Sequence, residues 1–500
     1  MNNRIVSAVF GGLVILSASG TAFAADLPVK APRAVVAAPS WTGFYVGGNF
    51  GYGVGRAGSS LELDTPNFVR LAPASVIGGA QAGYRFQHNW LVLGAEADFQ
   101  WTGQNSTVCF ASVTSGCLLP TASTRLSWFG TARGVVGVAQ DNWLWTVSGG
   151  FAYGRVEEEA LGVSLGNGVT AFSNERILRT GWTVGTSVET RLWATNWSVK
   201  LEYLYVNLGH HSSPENCARL DNADVHENVC PIESLGGTSD GLPLATSYFQ
   251  DHVVRVGLNY NLGGPGPVAA PPQATPRIAA ANWTGFYAGG NIGYGAAHDP
   301  MDVGLVSFNG NVGAKRWFPQ SPGGVIGGVQ AGYRVQRGWF VTGVEADFQL
   351  SRQKDASCVE PCGGGVDSSY HDKRDWFGTV RGVAGVAQGT ALWYVTGGLA
   401  YGRVAMDESL TLAGSSLIAA SIHTNLTGWT AGAGVETKLW GSNWSAKLEY
   451  LYVDLGHVSF DGTCTASVAN LFALQEGICH VADSPVTDHV MRVGLNYQFH

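Results

Sequence analysis

The chain has 500 residues, a formal net charge of -8 and 13% charged residues, against about 25% in a typical soluble protein. The acidic balance leaves no basic surface for nucleic acid, and the mean hydropathy of +0.06 is far below that of a bundle of membrane helices. Glycine (69 residues) and tryptophan (17 residues) are abundant, so the apolar residues must alternate with others rather than form long runs.

The first 24 residues have the layout of a secretory signal peptide. Arg4 precedes an apolar run over residues 5–18, and small residues lead to a predicted cleavage site after Ala24. The run is too short to span a membrane, which disfavours the alternative of an N-terminal anchor. We therefore expect an exported chain that begins with a periplasmic leader over residues 25–40.

Most of the remaining sequence occurs twice. WTGFYVGGNFGYG at Trp41 corresponds to WTGFYAGGNIGYG at Trp283, NWSVKLEYLYVNLGH to NWSAKLEYLYVDLGH, and DHVVRVGLNY to DHVMRVGLNY. The motifs keep their order, which indicates one tandem duplication of a ~220-residue unit rather than a short solenoid repeat. We assign the units to residues 41–262 and 283–500, joined by a linker over 263–282 that is rich in Pro, Ala and Gly.

Within each unit the apolar residues follow a period of two, which predicts β-strands. A strand of ~9–11 residues crosses a bilayer when tilted, and every predicted strand reaches that length. Connections of about three residues alternate with polar stretches of roughly 20 or more, as in antiparallel membrane barrels with short periplasmic turns and long external loops. In the first unit we place strands near residues 41–53, 75–86, 90–102, 125–139, 143–156, 180–193, 197–209 and 247–262.

One face of these strands is apolar and the other carries charges. In LVLGAEADFQW, Leu93 and Ala97 share one face, whereas Glu96 and Asp98 share the other. An eight-stranded barrel is just wide enough for side chains to fill it, so we expect the charges to pair across the lumen. The predicted lumenal network comprises Arg85, Glu96, Asp98, Arg133, Glu189, Arg191, Lys200, Glu202 and Arg255 in the first unit, and Arg334, Glu345, Asp347, Arg381, Glu436, Lys438, Lys447, Glu449 and Arg492 in the second.

Eight of the 17 tryptophans fall at or near the starts of strands, on the side of the short connections. The indole ring favours the lipid headgroup zone because it is apolar but carries an N–H that needs a polar partner. We therefore expect a lipid-facing aromatic girdle on the periplasmic side, formed by Trp41, Trp90, Trp143, Trp197, Trp283, Trp339, Trp393 and Trp444.

The eight cysteines form four close pairs: Cys109/Cys117, Cys217/Cys230, Cys358/Cys362 and Cys464/Cys479. Behind an export signal, disulfides within single external loops are the expected state. No pair has the CxxC spacing of a metal site, and no helix follows the glycine-rich GGNFGYG as a phosphate-binding loop would require. We therefore expect neither a metal nor a cofactor.

The opening strand WTGFYxGGNxGYG, the strand NWSxKLEYLYVxLGH and the terminal strand DHVxRVGLNYxF together resemble an alphaproteobacterial outer-membrane β-barrel family. Its members are called outer membrane immunogenic or porin-family proteins, and their eight-stranded barrel is similar to the OmpA transmembrane domain. The resemblance covers almost the whole mature chain, twice. It implies an outer-membrane location, contact with outer-membrane lipids and lipopolysaccharide, handling by the barrel-assembly machinery, and no catalytic residues.

The expected fold is two tandem eight-stranded barrels, with one 16-stranded barrel as the alternative closure. The leading functional hypothesis is a structural, surface-exposed protein whose long loops meet an unidentified extracellular ligand, contributing to envelope integrity and to host or environment contact. A solute pore would be favoured by a 16-stranded barrel, which encloses water. A lipid-modifying enzyme is disfavoured because His252 and His489 lack a fixed neighbouring serine. A general acid/base pair formed by Glu96 and Asp98 is disfavoured because many arginines lie nearby, which favours a structural network.

Overall fold

The computed structural model describes residues 40–61, 67–112, 117–140, 142–164, 169–192, 195–214, 216–221, 224–227, 244–262, 281–306, 312–359, 366–412, 415–464 and 477–499. These residues form antiparallel strands. Among them there is no helix with the length and apolar character of a membrane span. The predicted signal peptide, nearly all of the leader and most of the linker lie outside the described residues.

The first unit forms a closed barrel of eight long strands. In hydrogen-bonding order these are β1, β3, β4, β5, β6, β7, β8 and β11, and β11 pairs back with β1. The short strands β2, β9 and β10 add hairpins at the long-loop end. The bounds are β1 (Gly43–Leu61), β2 (Asn67–Leu71), β3 (Ala74–His88), β4 (Leu91–Ser112), β5 (Cys117–Gln140), β6 (Trp143–Ser164), β7 (Val169–Arg191), β8 (Trp197–Pro214), β9 (Asn216–Asp221), β10 (Asp224–Glu227) and β11 (Leu244–Asn261).

The second unit repeats this topology. Its barrel strands follow the order β12, β15, β16, β17, β18, β19, β20 and β21, and β21 pairs back with β12. The strands β13 and β14 form an added hairpin. The bounds are β12 (Gly285–Ala296), β13 (Asp299–Val306), β14 (Val312–Gln320), β15 (Gly323–Arg337), β16 (Phe340–Val359), β17 (Val366–Gln388), β18 (Ala391–Leu412), β19 (Ser415–Lys438), β20 (Trp444–Cys464) and β21 (Gly477–Gln498).

Each barrel closes on itself, as the sequence predicts, and the 16-stranded closure is not formed. The ladder between β1 and β11 places Gly51 opposite Arg255, and the ladder between β12 and β21 places Gly293 opposite Arg492. A Cβ atom at Gly51 would lie 2.1 Å from the carbonyl oxygen of Val254. The closing strands therefore approach more closely than any side chain at this position would permit.

The outer faces of both barrels expose large apolar side chains. Phe50 is 65% exposed and Leu178 is 61% exposed in the first barrel. In the second barrel, Ile292 is 64% exposed and Leu399 is 68% exposed. Contiguous apolar surface of this kind marks a surface that meets lipid rather than water. The alternation read from the sequence thus has its apolar half outside and its charged half inside.

Above the charges, toward the long-loop end, apolar side chains fill the lumen. In the first barrel Phe129, Val156, Phe249 and Val253 are fully buried there. A shift of register between Leu126 and Trp128 turns Leu126 inward as well, because a β-bulge changes which side chains face the interior.

The barrel strands are longer than the sequence predicts, at 15 residues for β3 and 24 for β5. Most of the extra residues lie at the long-loop end, where the sequence is polar and does not alternate. The short strands β2, β9, β10, β13 and β14 also fall in stretches where the sequence predicts loops. These short strands pair with one another and with the ends of barrel strands, in two cases with a strand of the other unit. They are too short to show an alternating apolar face in the sequence.

Candidate functional site in the barrel lumens

The strand register brings opposite charges to neighbouring positions inside each barrel. Glu96 on β4 stands opposite Arg133 on β5, and Glu189 on β7 stands opposite Lys200 on β8. Residues that face each other across an antiparallel pair have Cβ atoms roughly 4.5–5.5 Å apart, within reach of a direct contact. Alternation turns these side chains inward, and register then decides which of them meet.

Arg133 lies at the centre of the first lumen. Its guanidinium donates to Glu202 Oε1 at 2.8 Å and to Asp98 Oδ2 at 2.9 Å. Arg255 closes the group, with Nε 2.7 Å from Glu202 Oε2 and Nη2 2.9 Å from Asp98 Oδ2. Thr131 donates a further hydrogen bond to Asp98 at 2.7 Å. Two guanidinium groups are thereby held between two carboxylates in a charge-assisted arrangement.

Glu96 extends this group sideways. It accepts hydrogen bonds from Arg133, from the phenol of Tyr45, and from Lys200 Nζ at 2.8 Å to each oxygen. Lys200 also lies 2.8 Å from Glu202. The side chains of Glu96 and Glu202 are at most 3% exposed, so both carboxylates are buried among the cations that they contact.

A second layer of the network lies toward the short-turn end. Arg85 Nη2 lies 2.6 Å from Glu189 Oε2, and Asn259 donates to Glu189 Oε1 at 3.0 Å. Gln81 continues the chain by donating to Asn259 at 2.6 Å. The first lumen therefore holds four carboxylates and four of the five predicted cations in direct contact.

The fifth cation, Arg191, lies at the edge of this layer, at the short-turn end of the barrel. It donates to the backbone carbonyl of Ser40 and its guanidinium carbon lies 4.9 Å from the Trp41 ring. In the second barrel the counterpart Lys438 donates to Gln498 at 2.5 Å and lies 5.1 Å from the Trp283 ring.

The second lumen repeats the central group with the same partners. Arg381 lies 2.9 Å from Asp347 and 3.1 Å from Glu449, and Arg492 lies 2.8 Å from Asp347. Lys447 lies 2.7 Å from Glu345. All eighteen residues of the predicted set are buried in the structure: Arg85, Glu96, Asp98, Arg133, Glu189, Arg191, Lys200, Glu202, Arg255, Arg334, Glu345, Asp347, Arg381, Glu436, Lys438, Lys447, Glu449 and Arg492.

Three lumenal tyrosines are missing from the predicted network. Tyr45, Tyr287 and Tyr394 place phenol groups against Glu96, Glu345 and Glu449, respectively, and the two in the second barrel donate at 2.6 and 2.8 Å. The signal was available, because these tyrosines share the inward parity of their strands. Residue type alone would suggest that these tyrosines face the lipid, whereas their position in the alternating pattern places them inside the barrel.

The predicted aromatic girdle needs correction at four positions, Trp41, Trp143, Trp283 and Trp393. Trp41 and Trp283 are each 1% exposed and lie inside the short-turn ends of the barrels, where Arg85 and Arg334 lie 5.7 and 5.8 Å from their rings. Trp143 is also 1% exposed, because its ring packs 5.3 Å from that of Trp393 on the other barrel, and Trp393 is itself only partly exposed. The outer surface is left with Trp90, Trp197, Trp339 and Trp444, which are 43–66% exposed.

The cysteines lie on extended strand ends where the structure describes them. Cys109 is on β4 opposite Pro120, and Cys464 is on β20 opposite Gly477. Cys117, Cys217, Cys358 and Cys479 also lie within strands, whereas Cys230 and Cys362 are outside the described residues. The disulfide pairing stays a prediction. Among the described residues, no group of three or more His, Cys, Asp or Glu side chains is placed to hold a metal ion.

Comparison with known proteins agrees with this architecture. Residues 13–230 and 266–499 each match the family model described as "Outer membrane protein beta-barrel domain". The chain belongs to this family. It is an outer-membrane β-barrel protein that carries the family domain twice.

Two relatives each match less than half of this chain. A 31 kDa outer-membrane immunogenic protein of Brucella melitensis is 35% identical over 254 residues, which is 48% of this chain and 93% of that protein. A 22 kDa outer membrane protein of Rhizobium leguminosarum bv. viciae is 32% identical over 38% of this chain and 72% of that protein. The Pseudomonas putida toluene transporter TodX aligns with a TM-score of 0.28 and 10% identity, over 92% of this chain and 90% of that one.

Proposed function

We propose that the protein is a structural, surface-displayed outer-membrane protein whose two barrels are closed to solutes and contribute to envelope integrity and to host or environment contact. The observation that carries this proposal is the pair of filled lumens. Arg133 and Arg381 each bridge three carboxylates across the barrel interior, and apolar residues such as Phe129 and Phe377 are packed above them. A porin needs a continuous water path, which this filling opposes.

The length of the strands supports surface display. A strand of 24 residues, such as β5, extends roughly 80 Å at ~3.3 Å per residue and rises roughly 60 Å at a tilt near 40°. The apolar band of an outer-membrane barrel is only ~25 Å tall. A large part of each barrel then stands beyond the lipid, which suits a protein that presents its outer strands and loops to the surroundings.

Planar-bilayer recording on the purified full-length protein tests the proposal against the porin alternative. We expect a bilayer with inserted protein to show no stable conducting steps in 1 M salt. A comparison variant comes from the chain itself, with alanine in place of Arg133, Glu202 and Phe129, which removes side chains from both the charged and the apolar layer of the first lumen. Stable open steps from the unmodified chain, in a preparation in which both barrels are folded, would contradict the proposal.

A further inference from the structure

The two barrels touch along a face that would otherwise meet lipid. We define the lateral seam as six outward-facing residues in the middle of the strands: Tyr52, Tyr203, His252, Tyr294, Tyr450 and His489. The seam encloses a cavity of only about 10 Å³, bordered by Val54, Val254, Ala296 and Met491. Room for one water molecule at most means that the two surfaces fit each other closely.

The contacts across the seam are reciprocal. His252 of the first barrel stacks on Tyr294 of the second, with ring centroids 4.3 Å apart and planes at 16°. Tyr52 of the first barrel stacks on His489 of the second at 5.0 Å and 13°. Tyr52 and Tyr294 occupy the same place in the repeated GYG motif, as His252 and His489 do in the repeated DHV motif. The interface therefore has the pseudo-twofold form of an isologous dimer.

Each imidazole also has a partner on its own barrel. His252 Nδ1 lies 2.8 Å from the hydroxyl of Tyr203, and His489 Nδ1 lies 2.8 Å from the hydroxyl of Tyr450. A polar ring that points outward from a membrane barrel is costly to leave in hydrocarbon. The second barrel covers it and the tyrosine satisfies it, so the seam accounts for a histidine at a lipid-facing position in both copies.

The apolar residues below the seam are buried in the same way. Val188 and Leu201 point outward from the first barrel, and Val435 and Leu448 point outward from the second, yet none is more than 6% exposed. They belong to one packed cluster that includes residues of both barrels. Nearer the short-turn end, Gln140 donates to the backbone carbonyl of Lys438 at 3.3 Å.

A group of charged residues at the long-loop end, Arg56, Arg70 and Asp355, breaks this symmetry, and we call it the rim. Asp355 of the second barrel lies 2.7 Å from Arg56 Nη2 and also contacts Arg70, both of the first barrel. In the repeat, His298 takes the place of Arg56 and Ser106 takes the place of Asp355. A pairing of two first units or two second units would lack this ion pair. The rim therefore favours the pairing of unlike units, as charges do in other specific interfaces.

We infer that the two barrels of one chain form a fixed lateral pair in the membrane, with the second unit as the specific partner of the first. The seam packs the two barrels closely together, and the ion pairs at the rim make the second unit a better partner for the first than another first unit would be. The duplicated chain is thus a covalently linked dimer of barrels, whose association does not depend on the linker. This pairing concerns the membrane face and is independent of whether the lumens conduct.

The experiment uses the full-length chain with a specific protease site placed within residues 263–282 and an affinity tag on the C-terminal half. The protein is folded, cut in mild detergent and captured on the tag. We expect the first barrel to be retained with the second after the cut. Heat-dependent gel mobility of each half shows separately that both are still folded. Complete separation of two folded halves would overturn the inference.

Two sets of variants locate the contact. Tyr52→Ala with Tyr294→Ala removes both stacked tyrosines, and Arg56→Ala with Arg70→Ala removes the rim cations without entering either lumen. We expect each set to raise the dissociation constant of the cut halves by at least about tenfold. The control is Phe151→Ala, whose ring is 50% exposed on the outer face and should leave retention unchanged.

The rim variants guard against a folding defect in the seam variants, because the side chains of Arg56 and Arg70 are partly exposed. Retention that is unchanged in both sets, with both halves folded, would show that the barrels are held by something other than the seam and the rim.

Discussion

Replacing Arg133 with methionine should destabilise the first barrel. Arg133 contacts Glu96, Asp98 and Glu202, and its own side chain is completely buried. The change leaves four buried carboxylates facing three cations. Removing one partner of a buried ion pair costs about 3–5 kcal/mol, because the remaining charge is left without compensation in a low dielectric. We expect a loss of this size in the free energy of unfolding.

The double variant Arg133→Met with Glu202→Gln separates loss of charge balance from loss of packing. It restores equal numbers of cations and carboxylates, so we expect a coupling energy of about 1–3 kcal/mol between the two changes. The matched variant Arg381→Met should place the same defect in the second barrel, since Arg381 contacts Glu345, Asp347 and Glu449.

The assay is urea unfolding in lipid vesicles, with the linker cut afterwards so that the gel mobility of each half reports its own barrel. The unaltered barrel serves as an internal reference in every sample. A loss below about 1 kcal/mol in Arg133→Met, or additive effects of the two changes within ~0.5 kcal/mol, would refute the network as a coupled, buried structure.

Three further outcomes follow from the structure. Gly51→Ala should cost about 1–3 kcal/mol because its Cβ would lie 2.1 Å from a backbone oxygen, whereas Gly48→Ala, with 3.8 Å to the nearest atom, should be near neutral in the same unfolding assay. Trp41→Ala should cost about 3–5 kcal/mol as a buried ring, and the exposed Trp90→Ala should cost less. Protease added to intact cells should spare residues 263–282, and cleavage there would place the linker outside the cell.

The alternating pattern was sufficient to predict the barrel strands, because one face of each strand meets lipid and the other meets a filled lumen. Glu96 and Asp98 could be assigned to the interior from parity alone. The cation that each carboxylate contacts could not be predicted, because it depends on the strand register. The register depends in turn on how the barrel closes, as where β11 packs against Gly51 of β1. The longer strand ends were hidden because beyond the lipid both faces of a strand can be polar.

The lateral seam could not be predicted from the sequence. Tyr52 and Tyr203 have the outward parity of any membrane aromatic, and a residue covered by a second barrel has the same pattern as one covered by lipid. Trp143 was misplaced for this reason. Trp41 was misplaced for another, because it precedes β1 and turns into the barrel end, where the alternation of the strand no longer applies.

Separate closure of the two barrels is the central claim, and engineered disulfides test it most directly. In a background without the native cysteines, Val46→Cys with Tyr260→Cys should form a bond, because these residues stand opposite each other where β11 meets β1. Ala288→Cys with Tyr497→Cys should do the same where β21 meets β12. A 16-stranded barrel would instead bring Tyr260 beside Ala288. Efficient bonding of Tyr260→Cys with Ala288→Cys, and none with Val46→Cys, would contradict the account.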